Sequence, residues 1–200
     1  MKKTTVLILS LALPILLTAQ RLTSGIYNET MLLYFDSAKQ QVSGFFSAQG
    51  GWDAQTQKPR FDCSFFIRGK IDKGSGSIRA WHPSDPEWTF ITGNILLQPS
   101  GTCQLQLNED PGGCWNVQQF SAAPLDLELT APHRWTGIAY IKRDSVPVFT
   151  DTINRKKIST YLPEYSGVGV LAIRGNWILI YYMDEHDKTG WIRRKDATLL

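Results

Sequence analysis

The sequence has little histidine and little cysteine, with only three residues of each among 200. It contains no Cys-x-x-Cys pair and no two histidines at metal-binding spacing, so we expect no structural metal site. It also lacks a Gly-x-Ser-x-Gly segment, the turn that presents the nucleophile of many hydrolases. These absences favour a protein that binds over one that catalyses. We therefore assign no catalytic residues and no cofactor.

The sequence also lacks a strong excess of charge of either sign. Lys and Arg total 21 residues against 18 Asp and Glu. Two of the basic residues, Lys2 and Lys3, lie at the N-terminus, and without them the balance is 19 to 18. Because a nucleic-acid-binding domain usually carries a clear basic excess, this balance indicates no nucleic-acid partner.

The N-terminal apolar run, from Val6 to Leu17, is too short to span a membrane, which takes about 20 residues. It follows the basic pair Lys2 and Lys3. A short basic head followed by such a run is typical of a secretory signal peptide. We therefore expect residues 1–19 to be a signal peptide and the protein to be exported, to a periplasm or outside the cell.

The rest of the chain shows almost no helical periodicity. Apolar residues instead alternate with polar ones, as in the segments 61–67 and 125–130. Turn-forming residues such as Pro111, Gly112 and Gly113 separate these segments. Short alternating segments bounded by turns predict an all-β fold, built as an antiparallel barrel or sandwich. The alternation does not distinguish a closed barrel from a sandwich.

The three cysteines are Cys63, Cys103 and Cys114. In an exported protein this number favours one disulfide and one free thiol. Cys103 shares the apolar face of an alternating segment, as a buried thiol would. Although the spacing alone does not fix the pairing, we predict a disulfide between Cys63 and Cys114.

A change of pattern near Pro132 to Trp135 predicts a boundary between two domains. We expect an antiparallel β domain over residues 20–135 and a second domain over residues 136–200. The connection between them is short. Because short connections restrict relative motion, we expect the two domains to pack together.

The last third of the chain ends in an apolar strand over residues 176–182, a polar turn, and the segment 188–192, which contains Gly190 and Trp191. Together with the strand over residues 167–173, this order resembles a bacterial SH3-like (SH3b) domain. The resemblance implies a small β-barrel. It also implies a contact with peptidoglycan peptides or with another envelope protein.

Alternate residues of the strand over 177–182 point to opposite faces. The resemblance implies that the face with Ile180 points into the core. Trp177 and Tyr181 would then lie on an exposed face with Trp191 nearby, and exposed aromatic residues often mark a binding surface. The alternative is that the first domain covers this face.

Two loops of the first domain collect polar and aromatic residues. The loop from Trp81 to Trp88 contains His, Ser and Asp within four residues, but such close neighbours do not converge as a catalytic triad does. The loop from Asn108 to Asn116 is interpreted as a turn pinned by the disulfide. Aromatic loop residues can stack on a ligand. The candidate ligand-binding residues are therefore Trp81, Trp88, Trp115, Trp177, Tyr181 and Trp191.

These patterns lead us to expect an exported, non-catalytic binding protein of the cell envelope. One alternative is a small-ligand carrier that uses a cavity inside the first domain. Another is an inhibitor or immunity protein that blocks a wall-degrading enzyme through the loop from Asp110 to Asn116. An enzyme is the least favoured class, because no acid–base pair or nucleophile motif supports it.

Overall fold

The computed structural model describes residues 23–85, 89–98, 102–153, 155–183 and 188–200. In these residues the chain forms two antiparallel sheets and no α-helix, which confirms the predicted all-β fold. No helix in this part of the chain is long and apolar enough to cross a membrane. The expected signal peptide, Trp88 and the polar turn over residues 184–187 lie outside the described residues.

The first sheet is a meander in which each of the strands β1 to β7 pairs with the next along the chain. β9 pairs with β1, so the last two strands lie on opposite edges of the sheet. The strands are β1 (Gly25–Tyr27), β2 (Met31–Asp36), β3 (Gln41–Asp53), β4 (Lys58–Asp72), β5 (Ser75–Trp81), β6 (Ile91–Leu97), β7 (Cys103–Leu107), β8 (Leu125–Leu127) and β9 (Leu129–Pro132).

The two edge strands belong to one chain segment, which makes this sheet a nearly closed barrel. β8 pairs with β7 and β9 pairs with β1, while Glu128 alone separates β8 from β9. Asn28 ties this junction to the start of the barrel. Its Nδ2 donates to the carbonyl of Asp126 at 2.7 Å, and its Oδ1 accepts the backbone N–H of Glu128 at 2.8 Å. A closed sheet leaves few unpaired backbone groups for other chains to bind.

Large apolar side chains fill the inside of the barrel. The rings of Phe46, Phe65 and Phe120 are fully buried, with centroids between 4.9 and 5.2 Å apart. Phe120 comes from the segment between β7 and β8, so this segment plugs the barrel. Asp110 holds it there, because its carboxylate accepts the backbone N–H groups of Phe120 and Ser121.

The predicted disulfide between Cys63 and Cys114 is present. Cys63 lies in β4, and Cys114 begins a 3-10 helix (Cys114–Asn116) in the plug segment. The bond therefore fixes the plug to the barrel wall. Cys103, in β7, is a buried free thiol.

The second sheet follows the barrel along the chain. Its strand order is β12-β11-β15-β14-β13-β10-β16, and its core contains Ile178, Ile180, Tyr182 and Ile192. The strands are β10 (Gly137–Ile141), β11 (Val146–Phe149), β12 (Lys157–Leu162), β13 (Gly167–Arg174), β14 (Trp177–Tyr182), β15 (Lys188–Arg193) and β16 (Ala197–Leu199), with a 3-10 helix (Arg194–Asp196) before β16.

The two sheets pack against each other through a third apolar cluster. Phe45 and Phe66 contribute to it from the outer face of the barrel, and Trp135 and Tyr181 contribute from the C-terminal part of the chain. All four side chains are buried. One stretch of the barrel's outer face is thus covered, and the part beside it is left open.

Candidate functional site

The outer face of strands β3 to β6 carries rows of side chains that cross the strands. The pairing register defines an aromatic row, an arginine row and a lysine row, one after the other along the strands. Their members are Phe45, Phe66 and Trp81 in the aromatic row; Ser43, Arg68, Arg79 and Thr92 in the arginine row; and Gln41, Lys70, Ser77 and Asn94 in the lysine row.

Except for the buried Ser43, the residues of the arginine and lysine rows line an open groove of about 990 Å3. Ligand sites commonly measure about 300–1,000 Å3, so this groove is large enough for a ligand of several rings. Trp81 and Phe90 line it as well, and Asn108 adds an amide that donates to Thr92 Oγ1 at 2.7 Å. We call this site the cationic groove.

Among the described residues, the charged side chains that line the groove are all cationic. Arg68, Lys70 and Arg79 line it and are exposed, and among the described residues that line it none is Asp or Glu. Within the described part of the chain, none of these three side chains forms a salt bridge. Arg68 also lies directly opposite Arg79 in the pairing of β4 with β5. Like charges in directly opposite positions destabilise a sheet, so the arrangement favours an anionic ligand.

A smaller pocket of about 80 Å3 adjoins the groove and shares Arg68 with it. Asp36 also lines this pocket. Asp36 forms a salt bridge with Lys39 at 3.1 Å, and the backbone N–H of Lys39 holds the pKa of that carboxyl below its ordinary value. Among the described residues, no salt bridge joins Asp36 to Arg68.

Aromatic rings border the arginine row. The guanidinium carbon of Arg79 lies 5.6 Å from the centroid of the Phe90 ring, and Phe90 lies 6.0 Å from Trp81. Phe90 is 45% exposed, whereas Trp81 is buried. Stacking on an aromatic ring orients a guanidinium group. The groove therefore combines an oriented cation with an accessible apolar surface.

A second cleft, of about 590 Å3, lies on the other side of Trp81, which lines both cavities. It brings together two loops that are distant in the sequence, with His82 and Ser84 from one and Glu109 from the other. His82 Nδ1 lies 2.6 Å from Ser84 Oγ, and burial lowers the pKa of His82. The partner of His82 Nδ1 is thus Ser84 of the same loop, whereas in a catalytic triad a carboxylate holds that nitrogen.

Tyr181, predicted as part of an exposed binding face, is buried where the two sheets meet. Its ring lies 4.6 Å from the ring of His133 and 5.8 Å from that of Trp135. Only 2% of Tyr181 is exposed. The position of Tyr181 agrees with the alternative interpretation, in which the first domain covers this face.

Trp177 and Trp191 are covered by arginine side chains of their own sheet. The guanidinium of Arg193 lies 3.8 Å from the centroid of Trp177, and Phe149 packs edge-on against the same ring at 5.2 Å. Trp177 is buried as a result. Trp191 is half-buried, with the guanidinium of Arg174 at 5.4 Å. These two residues do not form a bare aromatic surface.

The remaining predicted residues are dispersed. Trp81 lines the cationic groove, Trp115 is 68% exposed on the plug segment, and Trp88 lies outside the described residues. The sequence interpretation missed Arg68, Arg79 and the other polar residues of the groove. These groove residues point outward from the strands. The strands themselves were recognised mainly by the apolar residues that point inward.

The chain matches no protein-family model, no curated protein and no solved structure. Among the described residues, no group of three His, Cys, Asp or Glu side chains is placed to hold a metal ion.

Proposed function

We propose that the protein is an exported, non-catalytic binding protein of the cell envelope, and that its ligand occupies the cationic groove. The observation that carries this proposal is the directly opposed pair Arg68 and Arg79, with the exposed ring of Phe90 beside Arg79. The disulfide supports export, because such bonds persist in oxidising compartments. The expected signal peptide also supports export.

In this proposal the second domain, which we interpret as SH3-like, supports the barrel. Its packing through Tyr181 and Trp135 against the aromatic row covers one side of the outer face. That cover leaves the arginine and lysine rows as the open part of strands β3 to β6. The carrier hypothesis is less favoured, because the rings of Phe46, Phe65 and Phe120 occupy the inside of the barrel.

One observation favours a second candidate function, inhibition of a wall-degrading enzyme. Trp115 is 68% exposed on a plug segment that the disulfide holds rigid. Rigid, exposed aromatic residues often anchor protein interfaces. Co-purification with such an enzyme, lost in Trp115→Ala, would favour inhibition over the proposed function.

The test of the proposed function is co-sedimentation of the purified mature chain with isolated cell wall and with other envelope fractions. We expect at least one fraction to retain the wild type and to lose the double variant Arg68→Gln/Arg79→Gln. The matched control is Arg194→Gln/Lys195→Gln, which removes the same charge from exposed positions of the 3-10 helix before β16. If no envelope fraction retains the wild type, the proposal is wrong.

A further inference from the structure

The side chains of the cationic groove narrow the chemical class of its ligand. We infer that the groove binds an acidic oligosaccharide, a chain of sugar rings that carry carboxylates. This inference rests on the proposed function, because it takes the groove as the ligand site. It is carried by the spacing of the cations, the neutral polar groups beside them and the exposed ring of Phe90.

The spacing of the cations suits carboxylates on successive units of a chain. Arg68 and Arg79 are directly opposite one another, and residues in such positions have Cβ atoms about 4.5–5.5 Å apart. Both guanidinium groups can therefore reach the same carboxylate, which guanidinium binds with paired hydrogen bonds. Lys70 lies two residues from Arg68 on the same face of β4, about 7 Å along the strand. It can meet a second carboxylate on a neighbouring sugar.

The neutral residues of the groove suit hydroxyl groups. Gln41, Ser77 and Asn94 stand in the lysine row beside Lys70, and Thr92 extends the arginine row. Amide and hydroxyl side chains both donate and accept hydrogen bonds. A sugar hydroxyl also does both, whereas a phosphate at neutral pH mainly accepts. The mixture of side chains therefore favours a sugar over a simple phosphate.

Phe90 supplies a surface for the apolar face of a sugar ring. Its ring is 45% exposed and stands next to Arg79, the cation with which it is in contact. A sugar ring packed on Phe90 would thus place its carboxylate near the arginine row. Aromatic side chains bury much apolar area while leaving the polar edge of a ligand hydrated. The groove can accordingly bind both the apolar face of an acidic sugar, at Phe90, and its carboxylate, at the arginine row.

The experiment is isothermal titration calorimetry with a tetrasaccharide of galacturonic acid, compared with a neutral tetrasaccharide of galactose. We expect the acidic chain to bind and the neutral chain to bind at least tenfold more weakly. Since a hydrogen bond to a charged group is lost, Arg68→Gln and Arg79→Gln are each expected to weaken binding by about tenfold to hundredfold. Phe90→Ala should weaken it by about fivefold, and Arg194→Gln/Lys195→Gln should not change it.

Two further probes, tetraglutamate and tripolyphosphate, test the class of ligand. If either binds as tightly as the acidic sugar and Phe90→Ala has no effect, the groove recognises charge alone and the inference is wrong. Equal binding of the neutral tetrasaccharide would also overturn it. Thermal unfolding of each variant verifies that the barrel is intact.

The outcomes separate this inference from the proposed function. Retention on the envelope that depends on Arg68 and Arg79, without binding of the acidic tetrasaccharide, would leave the proposed function standing and overturn the inference. Binding of the acidic tetrasaccharide by a protein that no envelope fraction retains would support the inference and overturn the proposed function.

Discussion

Gly167 in β13 lies directly against the ring of Phe45 in β3, and no methyl group fits between them. Phe45 belongs to the outer face of the barrel and Gly167 to the second sheet. The ring of Phe45 is itself held at 4.6 Å from the ring of Phe66. This contact therefore sets how closely the two sheets approach each other.

Gly167→Ala is expected to destabilise the protein by about 1–3 kcal/mol, because the added methyl overlaps the Phe45 ring in a packed interface. For a chain of this size that loss lowers the melting temperature by roughly 2–4 °C per kcal/mol. Thermal unfolding followed by circular dichroism measures the change.

The matched control is Gly137→Ala in the neighbouring strand β10. A Cβ at Gly137 would meet no atom within 4 Å, and its backbone is not in the left-handed region. Its effect should stay within about 0.5 kcal/mol. Equal losses in the two variants would show that the contact with Phe45 does not limit the approach of the sheets.

Half-buried strands leave a strong signal in a sequence, which is why the all-β fold and the barrel strands could be predicted. The burial of Tyr181 could not be predicted in this way, because the sequence left open whether its face is exposed or covered. Its neighbours His133 and Trp135 come from the connection between the sheets. Which face of a strand is covered depends on how two sheets dock, and alternation carries no information about docking.

The groove could not be predicted from the sequence, because its arginines become neighbours only through the pairing register of β4 and β5. Lys73 and Gly74 both have positive φ, 48° and 88°, and form a two-residue hairpin turn between β4 and β5. Such a turn fixes the register, and this register places Arg68 opposite Arg79. A Lys-Gly pair predicts this turn less strongly than Asn-Gly does. The register, and with it the position of Arg68 opposite Arg79, therefore could not be predicted from the sequence.

Arg68→Gln is expected to stabilise the free protein slightly, although it weakens ligand binding. Removal of one of two directly opposite cations relieves a repulsion of about 0.2–1 kcal/mol. Urea unfolding at low ionic strength should therefore show a higher midpoint for the variant than for the wild type. Salt screens such charges, so the difference should shrink at high ionic strength. A lower midpoint at both ionic strengths would mean that Arg68 has a structural partner.

Loss of the disulfide is expected to destabilise the barrel strongly. Cys63 and Cys114 are 51 residues apart in the sequence, and a loop of that length corresponds to roughly 4 kcal/mol in the chain-entropy model. The urea midpoint of the wild type should fall on reduction, while that of Cys63→Ser/Cys114→Ser should be low with or without reductant. An unchanged wild-type midpoint after complete reduction would contradict this role.

The free thiol of Cys103 is expected to make stability depend on alkaline pH. Burial raises the pKa of Cys103 from 9.0 to about 12. Between these two values the unfolded chain has lost the thiol proton while the folded chain retains it. Stability therefore falls as pH rises above about 9, by at most about 1.4 kcal/mol per pH unit. Burial also raises the pKa of Tyr27, so the wild type has to be compared with a variant that lacks only the thiol.

Cys103→Ala is that variant, because it keeps both Tyr27 and the disulfide. It should be less stable than the wild type at pH 8, since a buried side chain becomes smaller, by about 1 kcal/mol. Its stability should then fall less steeply between pH 9 and pH 11, so that the difference between the two proteins shrinks and then reverses. Urea unfolding at a series of pH values measures both slopes. Parallel slopes would contradict a thiol that stays protonated in the folded barrel.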